Sequence, residues 1–175
     1  MLMLLLTGLS GAGKSTLAER LLSKLSALNI AAEVIDGDVY RKTMNTDLSF
    51  SADDRRENIQ RLCRIAYDKN RQGIIAIVAA INPFEDLRVE LVKQYGAKII
   101  WVTCSLSVLT KRDPKGLYRK ALLPDDHPDK LWNLTGVNDP YEIPVQADLI
   151  VDTSENSIEE CSEQLINYVS NFIQT

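Results

Sequence analysis

The chain is short of cysteine, balanced in charge and without any long hydrophobic run, and each shortage excludes something. Its 175 residues hold three cysteines, Cys63, Cys104 and Cys161. They are too few and too widely spaced for a disulfide framework or a zinc site, and read as reduced, partly buried residues of a reducing compartment. Lys and Arg number 20 against 24 Asp and Glu, a net charge of −4. That balance argues against a general nucleic-acid or anionic-membrane partner, while leaving local basic patches open. No apolar run approaches the ~18–20 residues of a membrane-spanning helix. The apolar start, 1–6, is shorter than the ~7–15 residues of a signal-peptide core and has no basic flank. A soluble, cytoplasmic protein is expected. Hydrophobic residues at 45% and charged ones at 25% exclude disorder, collagen and coiled coil. The length predicts one domain, 1–175, since domains run to roughly 150 residues.

What is present is an alternation. Leu2 to Leu6, Ala32 to Ile35, Ile74 to Ala80, Lys98 to Thr103 and Asp148 to Val151 read as strands. Between them, Leu17 to Leu28 repeats leucine at 17, 21, 25 and 28, and Ser51 to Gln72 opens on Ser51 with Asp54 three residues later. Phe84 to Tyr95 is a helix closed by Gly96, and Ser157 with Glu160 starts a last one to about Phe172. Strands that alternate with helices, and are apolar throughout, predict a doubly wound parallel five-stranded sheet with helices on both faces. The stretch from Asp113 to Pro144 breaks the rhythm, with five of the six prolines and no clear period. At about thirty residues it is too long for a passive connection and reads as a lid segment.

Between the first strand and first helix stands Gly8-Leu9-Ser10-Gly11-Ala12-Gly13-Lys14-Ser15, followed by Thr16. The glycines let backbone N–H groups converge on phosphates, Lys14 adds a point charge, and the Ser15 hydroxyl suits Mg²⁺. Nucleotide binding follows, with ATP and Mg²⁺ as the expected cofactors. The third strand ends in Ala79-Ala80-Ile81-Asn82 with no carboxylate, unlike motor and switch proteins. The acids follow the second strand instead, as Asp36-Gly37-Asp38. Strand carboxyl ends face the ligand crevice, so Asp38 can take or orient a hydroxyl proton, and either carboxylate can help hold Mg²⁺ through water. This favours a small-molecule kinase.

At about 100° per residue, Arg55 falls inside the apolar arc of Ile59, Leu62, Cys63 and Ala66, with Asn58 and Arg61 along one edge. A buried guanidinium needs an anion or a carboxylate. Asp36 or Asp54 can supply it within the chain. Alternatively Arg41, Arg55 and Arg61 read a second anionic substrate, with Phe50 offering a face to its base. The run Lys111 to Lys120 carries five basic residues and one acid, which suits a segment that closes over phosphoryl charge.

Together these strings resemble the adenylylsulfate kinase family over nearly the whole chain. The resemblance is carried by the phosphate loop, by Asp36-Gly37-Asp38 with Arg41, and by Asp47-Leu48-Ser49-Phe50-Ser51. It is carried also by Asp54-Arg55-Arg56-Glu57-Asn58-Ile59, Arg112-Asp113-Pro114-Lys115-Gly116-Leu117-Tyr118 and Thr135-Gly136-Val137-Asn138-Asp139-Pro140-Tyr141-Glu142. It implies a P-loop kinase fold and transfer of the ATP γ-phosphate to the 3′-hydroxyl of adenosine 5′-phosphosulfate, the activation of sulfate. It implies Asp38 as the catalytic carboxylate, aided by Lys14 and Lys115, and Arg112 near the ATP base. Arg41, Arg55 and Asn58 would hold the sulfate-bearing nucleotide and Phe50 would stack on its base. Ile81, Asn82, Leu134 and Thr135 would complete that seat, with Lys115 and Lys120 on the lid. Family members are often dimers, so a homodimer is implied. Three departures stand out: Asn82 for the usual serine, Leu134 for a second aromatic clamp, and a longer, acidic lid insert at Pro124 to Asp129. They leave two alternatives: a sister kinase acting on another anion-bearing nucleotide such as a cytidine diphosphoramidate, and a non-catalytic ATP-binding module.

Overall fold

The computed structural model describes residues 2–173. The five apolar runs are strands: β1 Met3–Thr7, β2 Ala32–Asp36, β3 Ile75–Ala79, β4 Lys98–Thr103 and β5 Leu149–Asp152. They form one sheet in the order β2-β3-β1-β4-β5, every pair parallel. β1 and β3 are buried along their whole length, which fits their apolar sequence, Thr7 at the end of β1 excepted.

Side chains alternate across the sheet, and two core layers result. Leu4 and Leu6 of β1 pack with Leu17, Leu21 and Leu25 of α1 (Lys14–Ala27) and with Cys161, Leu165 and Val169 of α7 (Ile158–Ser170). Met3 and Leu5 face the other way, onto Ile59 and Leu62 of α3 (Ala52–Arg71) and Leu87 and Leu91 of α4 (Glu85–Tyr95). Caps stop and start these helices where the sequence places them. Ser51 accepts from the Asp54 N–H, Ser157 and Glu160 form a reciprocal box, and Gly96 closes α4 at φ 65°. Leu28 departs from the expected stripe: α1 ends one residue earlier and Leu28 is exposed.

Three short helices escape a reading by period. α2 spans Gly37–Thr43, where an Asp-Gly turn is the simpler expectation; α5 spans Leu106–Arg112 and α6 Leu117–Ala121. Asp36 creates the first, because one carboxylate oxygen caps the Asp38 and Val39 N–H groups. Asp113 does the same for α6 by accepting from Tyr118 and Arg119. The lid segment is rooted by buried Tyr118, whose hydroxyl donates to the Ser10 carbonyl at 2.7 Å. No helix among the described residues is long and apolar enough to cross a membrane.

The register places the useful ends together. Asp36, Ala79 and Leu6 sit level across β2, β3 and β1. The segments that follow, Gly37-Asp38, Ala80 to Asn82 and the glycine loop, therefore leave the sheet at one rim.

Candidate active site

The loop after β1 turns tightly enough to need glycine. A Cβ on Gly8 would lie 2.1 Å from the Val102 carbonyl, and Gly13 caps α1 at φ 99°. Lys14 folds back so that its Nζ donates to the Gly8 and Leu9 carbonyls at 2.9 and 2.8 Å. Loss of water around this ammonium brings its pKa down to about 8, against the upward pull of Asp38; Lys115 lowers it further. Such a cation suits a polyanion. The rest of the cradle is braced: Ala12 accepts from Thr153 Oγ1 at 3.0 Å, and Ser10 accepts from Tyr118. Thr16 is exposed on α1. Arg112 reaches the same corner, donating to the Thr153 carbonyl at 2.6 Å. Thr153, which braces both the glycine loop and Arg112, is a residue that sequence reading missed. Its position one residue after β5, at the same rim, is the signal that points to it.

Ser15 Oγ donates to Asp36 Oδ2 at 2.5 Å, while Asp36 Oδ1 caps α2. This hydroxyl–carboxylate pair is a hard oxygen donor set of the size Mg²⁺ uses when it keeps its waters and a substrate phosphate. No gathering of three or more His, Cys, Asp or Glu side chains able to cage a metal occurs among the described residues. Asp38, the other carboxylate expected to help hold Mg²⁺ through water, is ion-paired with Lys115 of the lid. Burial raises its carboxyl pKa, but the Lys115 ammonium and Lys14 outweigh that and hold it below the usual carboxylate value.

On the acceptor side, the Arg41 and Arg55 guanidinium carbons lie 4.7 and 5.5 Å from the Phe50 ring centroid. Burial and the neighbouring Arg55 charge lower the Arg41 pKa. Two guanidiniums therefore flank one exposed aromatic ring. Arg55 does not pair with Asp36 or Asp54, the intramolecular partners the sequence offers. It donates to Phe50 O (3.0 Å), Thr135 Oγ1 (3.0 Å), Asn133 O (2.7 Å) and Asp139 Oδ2 (3.0 Å), tying α3 to the lid segment. Asn58 is buried and accepts from Asn45 at 3.0 Å. Arg61 is held elsewhere, its fork on Asp47 and its Nε on Glu57. Leu134 is buried in the core, so it presents no face to a base. Lys120 is exposed on α6.

Ile81-Asn82 leave the end of β3 at the same rim. The Ile81 carbonyl accepts from Thr7 Oγ1 at 2.5 Å and from Gly8 N at 3.4 Å. The Asn82 carbonyl accepts from Thr7 Oγ1 at 3.2 Å and from Arg88 Nη1 at 2.6 Å. The three cysteines are free and buried, and Cys104 Sγ accepts from Arg112 Nη1 at 3.6 Å.

A family model described as adenylylsulphate kinase matches residues 1–152. The adenylyl-sulfate kinase of Bacillus pumilus is 43% identical over 167 residues, which is 94% of this chain and 82% of that protein. That of Synechococcus sp. (strain JA-3-3Ab) is 42% identical over 156 residues, 89% of this chain and 86% of that one. The solved structure of the Mycobacterium tuberculosis APS kinase CysC in complex with AMPPNP and APS superposes with a TM-score of 0.88 at 33% identity, covering 97% of both chains.

Proposed function

The chain belongs to the adenylylsulphate kinase family, and we propose that its two-seated mouth performs the family reaction with the residues placed at its rim. The protein is an ATP-dependent phosphotransferase that phosphorylates the 3′-hydroxyl of adenosine 5′-phosphosulfate. The observation that carries the assignment of roles is the meeting of Lys14, Asp38 and the lid's Lys115 within one electrostatic neighbourhood.

The amides of Gly8 to Ser15 and the Lys14 ammonium bind the outer phosphates. Ser15 and Asp36 would hold Mg²⁺, and Arg112 with Thr153 borders the base side of the ATP seat. Bound MgATP supplies the phosphoryl group and a divalent charge that neutralises its oxygens. Arg41, Arg55 and Phe50 orient the acceptor, with Asn58, Arg61, Ile81, Asn82, Leu134 and Thr135 shaping that side. Leu134 and Arg61 act from behind, through packing and through the Asp47 pair. Asp38, ionised at neutral pH, accepts the 3′-hydroxyl proton as the oxygen bonds to phosphorus and the bond to ADP breaks. Lys115 neutralises charge on the moving group, and Lys120 adds to the lid's positive field.

Purified protein with ATP, Mg²⁺ and adenylylsulfate should release ADP. Asp38→Ala should lower kcat by roughly 10²–10⁴-fold while leaving ATP affinity intact. Absence of ADP above background would overturn the reading, and turnover retained in Asp38→Ala would remove Asp38 from it. The relatives favour adenylylsulfate over the cytidine alternative; a pyrimidine preference across an acceptor panel ranked by kcat/KM would reverse that. Residues 1–175 act as one domain, with 113–144 as its lid. Cytoplasmic placement is supported by three free, buried thiols. A homodimer is proposed from the resemblance and is checked by light scattering.

A further inference from the structure

Asp113 occupies a backbone position that suits it badly. It stands at φ 22°, ψ 56°, in the left-handed region, and it precedes Pro114. Left-handed backbone favours glycine, and a residue before proline is pushed toward extended values, so the strain is twofold. The surroundings enforce it. The Asp113 N–H donates to the Leu109 carbonyl at 2.8 Å and ends α5, while the Asp113 carbonyl accepts from Gly116 at 3.0 Å. The chain on either side is anchored, Arg112 on the Thr153 carbonyl and Tyr118 on the Ser10 carbonyl. What aspartate brings and glycine lacks is a carboxylate. α6 begins without a cap of its own, because its N-cap position is Gly116. Asp113 supplies the cap from three residues upstream, Oδ1 accepting from Tyr118 at 3.1 Å and Oδ2 from Arg119 at 2.9 Å. Its carbonyl and its carboxylate together draw 113–116 into a closed turn.

We propose that Asp113 is a positioning residue for phosphoryl transfer, its carboxylate closing this turn so that the Lys115 ammonium is aimed at Asp38 and the phosphate loop. This rests on the phosphotransferase function given above. Lys115 stands inside the turn and reaches Asp38, 77 residues away in the chain. Its charge is felt at Lys14 as well. Beside it, Pro114 Cδ lies 3.6 Å from the point that a Cβ on Gly11 would occupy, so the turn rests on the glycine loop. The Lys115–Asp38 pair leaves both side chains half exposed or more, and so open a pair is too weak by itself to fix where a long lysine points. Direction comes from the turn beneath the lysine, and the shape of the turn comes from Asp113. The strained backbone is retained because a carboxylate at this point reaches both amides of α6.

Kinetics and urea denaturation of Asp113→Gly, read together, test this. Glycine suits the backbone and lacks the carboxylate, so the urea midpoint should stay nearly unchanged. Over the same change kcat should fall roughly ten- to a hundredfold, up to the scale of one lost charge-stabilising donor. Both KM values should stay within about twofold, because the lysine acts on charge that develops during transfer. Asp113→Asn tolerates the left-handed region and keeps one acceptor oxygen, and its kcat should fall between those of the glycine variant and the unaltered protein. A double-mutant cycle then separates positioning from folding: in a Lys115→Met background, Asp113→Gly should change kcat by less than about twofold. Additive losses of kcat, a rise in KM with kcat kept, or a midpoint that falls in step with activity would overturn the proposal and leave Asp113 a structural cap. Should Asp113→Gly not fold, the cycle is run with Asp113→Asn, and additivity there overturns the proposal equally. Failure of the unaltered protein to phosphorylate adenylylsulfate would instead remove the function on which the proposal rests.

Discussion

Arg55 holds α3 to the lid segment with a buried guanidinium, and its partner Asp139 lies 84 residues away. The Arg55 side chain is 10% exposed and that of Asp139 32%, so the pair falls between a surface bridge and a fully buried one. Truncation to alanine leaves the Asn133 carbonyl, Thr135 and Asp139 without their donor. We expect Arg55→Ala to cost about 2–3 kcal/mol, below the ~3–5 of a fully buried pair, read from the urea midpoint. Arg55→Lys should not rescue it, because an ammonium cannot match four acceptors arranged for a planar fork; full recovery by lysine would show that only charge matters. Cys63 offers a second test at this scale. Burial pushes its thiol up to about 12, so it stays protonated and unreactive in the folded state. A thiolate reagent at pH 8 should label it only as the protein unfolds, and fast labelling of native protein would contradict its packing. Because the folded pKa lies above the unfolded value, the contribution is intact below the unfolded pKa of ~9 and is lost as pH rises toward 12.

Among the elements, two glycines separate conformational strain from steric blockage. Gly96 closes α4 at φ 65° with no atom within 4 Å of an added Cβ. Gly96→Ala should therefore cost only the left-handed penalty, about 1 kcal/mol, with activity kept. At Gly8 an added Cβ would meet the Val102 carbonyl at 2.1 Å, so Gly8→Ala must push β1 from β4 and move the cradle. It should lose nucleotide binding as well as stability; similar losses for the two variants by thermal melting and nucleotide titration would refute the distinction. These elements also show how far sequence carries. β4 lies at its expected bounds because Ile99 to Val102 is an uninterrupted apolar run between a helix-closing Gly96 with Lys98 and the polar Thr103. α2 stayed hidden because seven residues hold too little period, and its cause is a cap on Asp36 that reads equally well as a turn. The mouth was legible where glycine spacing or a misplaced charge betrayed it, as at Lys14, Asp38 and Arg55. The Asp139 partner, the buried position of Leu134 and the buried amide of Asn82, unpartnered among the described residues, depend on chain crossings that no local pattern encodes.

For the whole molecule, a net charge of −4 conceals a cationic mouth, and the grip of the lid on that mouth is uneven. Its roots are the better covered: Tyr118, buried, on Ser10, and Arg55, 10% exposed, on Asp139. Its tip is not, since the Lys115–Asp38 pair leaves the two side chains 50% and 60% exposed. Pairs that open to water contribute ~0–1 kcal/mol, so the tip can release Asp38 without unfolding the lid. Lys115→Met should leave the urea midpoint nearly unchanged yet lower kcat by roughly 10²-fold, the scale of one lost charge-stabilising donor. The same asymmetry predicts where a protease enters. Lys115 precedes Gly116 in the exposed turn ahead of α6, and trypsin should cut there first, faster in free protein than with ADP and adenylylsulfate bound. Protection by the two ligands together, exceeding that by either alone, is the expected signature of a tip that closes over both seats. Initial cleavage among the roots, or protection by ADP alone equal to that by the pair, would mean that the lid moves as one stiff body and that Lys115 is not its working end.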